Sequence, residues 1–127
     1  MKKYYPLLLL GVALSLPFFN LNATVTTCDP GCACKVFVPN AFSPNEDGRN
    51  DTFLPYANCV VTNYNLKIFN RWGKLVFESD AIDKGWDGKA NGEQVQPDVF
   101  VYIITFSYAE DEAQKEEILS GDVALLR

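Results

Sequence analysis

Histidine is absent from all 127 residues of this chain. Because histidine is the commonest general base and the commonest metal ligand in proteins, its absence excludes Ser-His-Asp and Cys-His catalysis and histidine-bound zinc. Carboxylates are plentiful, but Asp83, Asp87 and Asp98 lie in predicted turns, where acidic residues are common for conformational reasons. We therefore predict that the protein is not an enzyme.

Basic residues are also scarce. The chain has 11 Lys and Arg against 16 Asp and Glu, which gives a net charge of −5 at pH 7. Nucleic acids and anionic membrane surfaces are bound through basic patches that displace counterions. The acidic balance argues against both as partners.

One long apolar run is present, from Pro6 to Phe19, between the basic start Met1-Lys2-Lys3 and the small residue Ala23. This arrangement is typical of a secretory signal peptide, which we assign to residues 1–23. The run is shorter than the roughly 20 apolar residues of a transmembrane helix, so we expect an exported protein that is not integral to a membrane. The remaining residues suffice for a single domain.

All four cysteines, Cys28, Cys32, Cys34 and Cys59, follow the predicted signal peptide. An even number of cysteines in an exported chain favours disulfides. Cys32 and Cys34 are too close in sequence to bridge each other easily, so we predict that one of the first three cysteines joins Cys59. Residues 24–35 then form a cysteine-rich leader. A thiolate metal site fits less well because the spacing differs from that of zinc ribbons, and lipidation of Cys28 is a minor alternative.

The clearest structural pattern is a β-hairpin between Tyr64 and Glu78. Apolar residues alternate with other residues up to Phe69, and the apolar pattern resumes at Leu75. The intervening Asn70-Arg71-Trp72-Gly73 supplies a tight turn, in which glycine can adopt the positive φ that such turns need. Because a lone hairpin is marginally stable in water, further strands must cover its apolar face.

Further strands are predicted on both sides of this hairpin. Short runs precede it at residues 36–38, 52–54 and 59–61. The strongest run follows it at 99–108, and we expect its first half to be covered on both faces. One face of this strand is large and aromatic, with Phe100, Tyr102, Ile104, Phe106 and Tyr108.

The C-terminal part is predicted to be a turn at 109–114 followed by a last strand, Ile118 to Leu126, with a bulge at Gly121. We expect this last strand to belong to the fold. About seven short strands, without a helix of usual length, predict an all-β fold, namely an immunoglobulin-like β-sandwich over residues 36–127. A β-barrel is the alternative for the same pattern.

A loop rich in oxygen ligands precedes the hairpin, with Asn45, Asp47, Asn50 and Asp51 placed around a glycine. Calcium binds such ligands, although the glutamate of an EF-hand is missing, because its position is Tyr56. An Asx-rich turn, whose side chains accept hydrogen bonds from the loop's own amides, explains the same residues. We favour the turn and keep calcium as a hypothesis.

The two tryptophans, Trp72 and Trp86, each stand beside a glycine. Exposed tryptophans would serve as stacking platforms in a glycan-binding or protein-binding module. Aromatic residues beside turns more often cover the end of a sandwich core, and these two turns can close over one another. We favour the core interpretation and keep a small secreted binding module or adhesin as the alternative function.

Four blocks of this sequence resemble the gliding-motility-associated C-terminal domain, also called the type B sorting domain of type IX secretion. The blocks are VPNAFSPNEDGRNDTF (38–53), LKIFNRWGKLVFE (66–78), GWDGKANGEQVQPDVFVYII (85–104) and GDVALLR (121–127). Their order and spacing match the family across nearly all of residues 36–127. Within the blocks we expect the turn residues to carry the sorting role: Asn70, Arg71, Trp72, Gly73, Trp86, Asp87, Gly88 and Gly121.

The resemblance implies a non-enzymatic β-sandwich that normally stands at the C-terminus of a larger exported protein. It directs that protein from the periplasm across the outer membrane to the cell surface or the medium. The implied partners are the outer-membrane type IX translocon and a membrane protein of the PorP/SprF type. Here little cargo precedes the domain, so the leader is itself the cargo, the chain is a fragment, or the domain acts alone.

Overall fold

The computed structural model describes residues 33–127. This part of the chain contains nine strands and no helix. The predicted signal peptide, most of the leader, Cys28 and Cys32 lie outside the described residues. The strands are β1 (Val36–Phe37), β2 (Ala41–Phe42), β3 (Tyr56–Ala57), β4 (Val61–Phe69), β5 (Leu75–Ser79), β6 (Lys89–Ala90), β7 (Glu93–Gln94), β8 (Asp98–Glu110) and β9 (Ala113–Leu125). This part of the chain therefore contains no helix that could span a membrane.

One five-stranded sheet, in the order β2-β9-β8-β4-β5, dominates the fold. β2 runs parallel to β9, and the other neighbours are antiparallel. β1 with β3 and β6 with β7 form two small sheets. The all-β sandwich is confirmed, with nine strands because two-residue strands leave no periodic pattern. The barrel alternative is wrong, since the described sheet ends at β2 and β5 and does not close.

The predicted central hairpin is confirmed as β4 and β5. Tyr64, Leu66 and Ile68 are buried, as the alternating pattern of β4 requires. Gly73 has a φ of 77°, which allows the chain to reverse between the strands.

The aromatic face of β8 is buried as predicted, with Phe100, Ile104, Phe106 and Tyr108 in the core. The expectation that its first half is covered on both faces is wrong. Val99 is 50% exposed and Val101 is 41% exposed. Described residues pack against the aromatic face of this strand, while the opposite face of its first half is open to solvent.

The last strand is longer and more regular than the sequence indicated. A tight turn at Asp111 and Glu112, both with positive φ, replaces the predicted turn at 109–114. The pairing of β8 with β9 then continues without a register shift, so the predicted bulge at Gly121 is wrong. Gly121 is needed because it lies opposite Tyr102, and a Cβ atom there would be 2.6 Å from the tyrosine hydroxyl oxygen.

The core is aromatic and surrounds Trp86, whose exposed fraction is 0%. Its ring centroid lies 4.8 Å from that of Phe100, edge to face, and 5.3 Å from that of Phe42. Its indole N–H donates to the carbonyl of Lys89 at 2.8 Å, so the polar atom is satisfied inside the core. Phe53 pairs with Trp86 through two backbone hydrogen bonds in an isolated bridge rather than in the predicted strand at 52–54.

Candidate functional site

Several segments meet at one end of the five-stranded sheet. β4 ends there at Phe69, which is paired with Val101 near the start of β8. β9 ends there at Leu125, which is paired with Asp98. The register therefore gathers loops that are far apart in sequence.

We call this end of the sheet the loop end. It comprises the loop 43–52, the turn 70–74, the loop 86–97 and the last two residues, 126–127. Each of these segments belongs to one of the four blocks singled out in the sequence. The fold thus brings a segment from each of the four blocks to the same end of the sheet.

The loop 43–52 is organised by Asp51. One carboxylate oxygen accepts hydrogen bonds from the amides of Asn45 at 3.1 Å and Glu46 at 2.8 Å, and the other accepts from the amide of Gly48 at 2.8 Å. Asp47 in turn accepts from the amide of Arg49 at 2.8 Å. These bonds are those of an Asx-rich turn.

Calcium at this loop remains a hypothesis. Three amide hydrogen bonds already engage the oxygens of Asp51, two on one oxygen and one on the other, which leaves little of their acceptor capacity for a cation. Among residues 33–127, no three Asp, Glu, Cys or His side chains converge as metal ligands. The geometry favours the turn.

The turn 70–74 presents Trp72 to solvent. The Asn70 side-chain oxygen accepts from the amides of Trp72 at 3.0 Å and Lys74 at 2.9 Å, which fixes the turn from within. Trp72 is 85% exposed, so the expectation that it covers the core is wrong. A turn rigid in its backbone and exposed in its largest side chain is suited to protein recognition.

An ion pair ties this turn to the start of β8. The guanidinium of Arg71 donates to a carboxylate oxygen of Asp98. That hydrogen bond, with one from the amide of Val99, holds the pKa of the Asp98 carboxyl below its ordinary value. Arg71 and Asp98 are 27 residues apart, and no local pattern in the sequence links them.

Gly88 is the point at which three of the blocks touch. It has a φ of 77°, and a Cβ atom there would lie 2.9 Å from Leu125 and 3.1 Å from Pro44. Its carbonyl accepts from the amide of Val95 at 3.0 Å and, more distantly, from the guanidinium of Arg127. Close packing at a positive φ explains why glycine is required here.

A family model of the CHU_C type IX secretion signal domain matches residues 36–120. This is about two thirds of the chain. The chain belongs to this family. The resemblance inferred from the four blocks is therefore confirmed.

Among solved structures, the signal domain is similar to a chain described as PorZ, an essential bacterial surface component of the type IX secretion system of Porphyromonas gingivalis. The identity is 17% and the TM-score 0.37, and the match covers 75% of this chain but 12% of the other. This likeness is too low to carry an argument. No curated protein matches the chain.

The predicted sorting residues of the signal domain do not all lie together. Asn70, Arg71, Trp72 and Gly73 form the turn at the loop end, and Asp87 and Gly88 lie in the neighbouring loop. Trp86 precedes them but is buried, and Gly121 lies within β9 beneath Tyr102. The sorting role of these residues stays a prediction, and the structure shows Trp86 and Gly121 to be packing positions.

The disulfide of the signal domain joins Cys34 to Cys59, which confirms the predicted pairing with Cys59. Two hydrogen bonds between Lys35 and Asn58 flank it, at 2.7 Å and 3.1 Å. The disulfide therefore fastens the chain before β1 to the chain after β3.

Sequence reasoning missed two contributors to the loop end, Arg127 and Pro44. Arg127 reaches Gln94 and the carbonyl of Gly88, and Pro44 packs above Gly88. Pro44 stands in a loop whose composition indicated a turn, but nothing in the sequence indicates its contact with a residue 44 positions later.

Proposed function

We propose that the loop end is the surface through which the type IX system recognises this signal domain. The observation that carries the proposal is that the four sequence blocks, spread over residues 38–127, supply loops to a single end of the sheet. A recogniser of this end reads a folded surface rather than a linear peptide. The role is binding rather than catalysis.

Trp72 is the proposed centre of that contact. Tryptophan is enriched among interface residues that carry most of the binding energy, because it buries a large area with few rotatable bonds. At 85% exposure it has nearly its whole side chain to offer a partner. The Arg71–Asp98 ion pair beside it fixes the orientation of the turn.

The proposed partners are the outer-membrane type IX translocon and a PorP/SprF-type membrane protein. The signal peptide would direct the first crossing to the periplasm, and the folded signal domain would then direct the second crossing to the cell surface or medium. Assignment of residues 1–23, 24–35 and 36–127 to signal peptide, leader and sorting domain is part of this proposal.

A glycan-binding module remains the alternative, but the version that uses both tryptophans is weakened. Trp86 is fully buried and cannot stack on an external ligand. Trp72 alone would have to provide the platform.

A transport assay tests the proposal. Residues 24–127 are fused after a periplasm-directed fluorescent reporter and expressed in a gliding bacterium with and without a working type IX translocon. The fusion must begin before Cys34, because a later start would leave Cys59 without its partner. We expect the reporter to reach the surface or medium only when the translocon works.

Two variants then locate the contact. We expect Trp72→Ala to retain the reporter in the periplasm while the domain stays folded. Tyr56→Ala is the matched control, because Tyr56 is also an exposed aromatic residue but lies in β3. Normal export of the Trp72 variant would refute the role of the turn, and release without the translocon would refute the sorting function.

A further inference from the structure

β9 leaves most of one side without a partner among the described residues. The strand has 13 residues, and β8 pairs with all of them along one side. On the other side, β2 pairs with Ala124 and Leu125 alone. The unpaired stretch extends from Ala113 to about Asp122.

The backbone groups that face this open side can be identified. The amides of Ala124 and Leu126 donate to carbonyls on the β2 side, at 2.9 Å each. Backbone groups alternate between the two sides of a strand, and the β8–β9 register has no shift. The outward amides and carbonyls are therefore those of the even-numbered residues: Gln114, Glu116, Ile118, Ser120 and Asp122.

This open stretch, which we call the β9 edge, is long and regular. Ten residues of β-strand extend roughly 33 Å. Natural proteins usually shorten, bend or cover such edges, because unpaired backbone groups invite another strand. Residues 113–118 are all exposed, and the apolar Ile118 is 67% exposed at the middle of the edge. The opposite edge of the sheet, β5, has five residues.

The charge of the β9 edge indicates which strand fits it. Residues 110–122 contain six acidic residues and one lysine. That lysine, Lys115, is already paired with Glu110, and Glu117 accepts a hydrogen bond from Tyr108 at 2.8 Å. A second copy of this chain would bring the same negative charge and be repelled, whereas a basic strand would be attracted.

We propose that the β9 edge binds an extended, basic segment of a partner protein as an added strand of the sheet. Paired backbone groups would provide the affinity, and alternate side chains the specificity. On the outer face the partner would place basic residues opposite Glu116 and Asp122, and an apolar residue opposite Ile118. This contact would lie along the β9 edge of the sheet. It is separate from the proposed recognition at the loop end.

Hydrogen exchange of the oxidised chain 24–127 provides the first test. Amides of Glu116, Ile118 and Ser120 should exchange rapidly, while those of Glu117 and Leu119, which face β8, should be protected. Slow exchange at the outward amides would overturn the proposal. In that case, the sedimentation coefficient would show whether a second copy covers the edge, as a dimer, or residues of the same chain cover it, as a monomer.

Binding is tested with a nine-residue peptide that carries Lys, Val, Thr and Lys at alternate positions, with Thr at the others. Its addition should protect the outward amides of β9. The control is the same peptide with an N-methyl group at every backbone amide, which keeps the charge but removes the pairing groups from both sides. Equal binding of the two peptides would reduce the contact to charge attraction and refute strand addition.

Two variants complete the test. Ile118→Pro removes an outward amide but leaves the bonds to β8 in place, so the fold should survive. It should weaken peptide binding roughly tenfold, whereas Ile118→Val should not. Unchanged binding by the proline variant would contradict the proposal. Trp72→Ala should leave peptide binding unchanged, which separates this contact from the one at the loop end.

Discussion

Trp72 and Trp86 have similar neighbours in sequence and opposite roles in the structure. Trp86 lies at the centre of an aromatic core and is fully buried, whereas Trp72 projects from a tight turn and is 85% exposed. Both belong to segments that meet at the same end of the sheet. Tryptophan therefore stabilises the fold at position 86, whereas at position 72 its side chain is available to the partner that we propose.

The largest expected effect comes from removing the strand end that closes this core. Deletion of residues 121–127 removes Val123 and Leu125, both buried, from the strand between β2 and β8. We expect the domain to unfold and export to stop. Circular dichroism and the transport assay measure the two effects, and normal export of the truncated chain would show that a folded surface is not what the translocon reads.

Alanine at each tryptophan tests the comparison directly. Trp86→Ala should destabilise the domain by about 3 to 5 kcal/mol, because it empties the core of its largest side chain. Trp72→Ala should change the free energy of unfolding by less than about 0.5 kcal/mol, because the side chain is exposed. Urea titration of both variants measures this difference. Similar losses of stability in the two variants would mean that Trp72, like Trp86, contributes to the packing of the fold.

Gly88 links the core to the loop end, so its replacement should affect both. Gly88→Ala forces a side chain into a positive φ and against Leu125, at a cost of about 1 to 3 kcal/mol. Gly92→Ala is the matched control, since Gly92 also has a positive φ but has open space around it. A smaller loss for Gly92 would separate packing from backbone strain, and equal losses would assign the whole effect to the backbone.

A small effect of the opposite sign concerns a polar atom at the far side of the core. The Tyr64 hydroxyl is buried, and no hydrogen-bond partner is found for it among the described residues. Tyr64→Phe should therefore leave stability unchanged or raise it by up to about 1 kcal/mol. Thermal unfolding at neutral pH measures this, and a clear loss would reveal a partner for the hydroxyl.

Burial also raises the pKa of Tyr64 to about 12. Between pH 10 and 12 the unfolded tyrosine loses its proton while the folded one keeps it, so stability falls as the pH rises through this range. Below pH 10 the group is neutral in both states and contributes no pH dependence. The phenylalanine variant should lose less stability than the wild type between pH 10 and 12.

The elements that were predictable are those in which apolar and polar residues alternate over a long run. The β4–β5 hairpin and the aromatic face of β8 follow from alternation over five or more residues. Two-residue strands such as β2 and β6 leave no such pattern, because β2 is defined by its pairing with the end of β9 and β6 by its pairing with the equally short β7. The role of Gly121 was misinterpreted for a similar reason, because glycine is required there by the ring of Tyr102 on the neighbouring strand β8.

The loop end was predictable in its parts but not in its assembly. Turn chemistry identified Asn70, Gly73 and the Asp51 loop, since these residues act on their own backbone. The burial of Trp86 and the exposure of Trp72 depend on which strands lie beneath them. The Arg71–Asp98 pair likewise arises from the register of β4 against β8.

The parallel pairing of β2 with β9 has a consequence for the order in which the domain forms. Ala41 is held against Ala124, so the contact closes a loop of more than 80 residues. Because closing a loop costs entropy that must be offset before a non-local contact stabilises the chain, we expect this contact to form after the local hairpins. The loop end is assembled from segments on both sides of this contact. A chain that stalls before residue 124 would therefore lack the surface that we propose the translocon reads, which would couple completion of folding to competence for export.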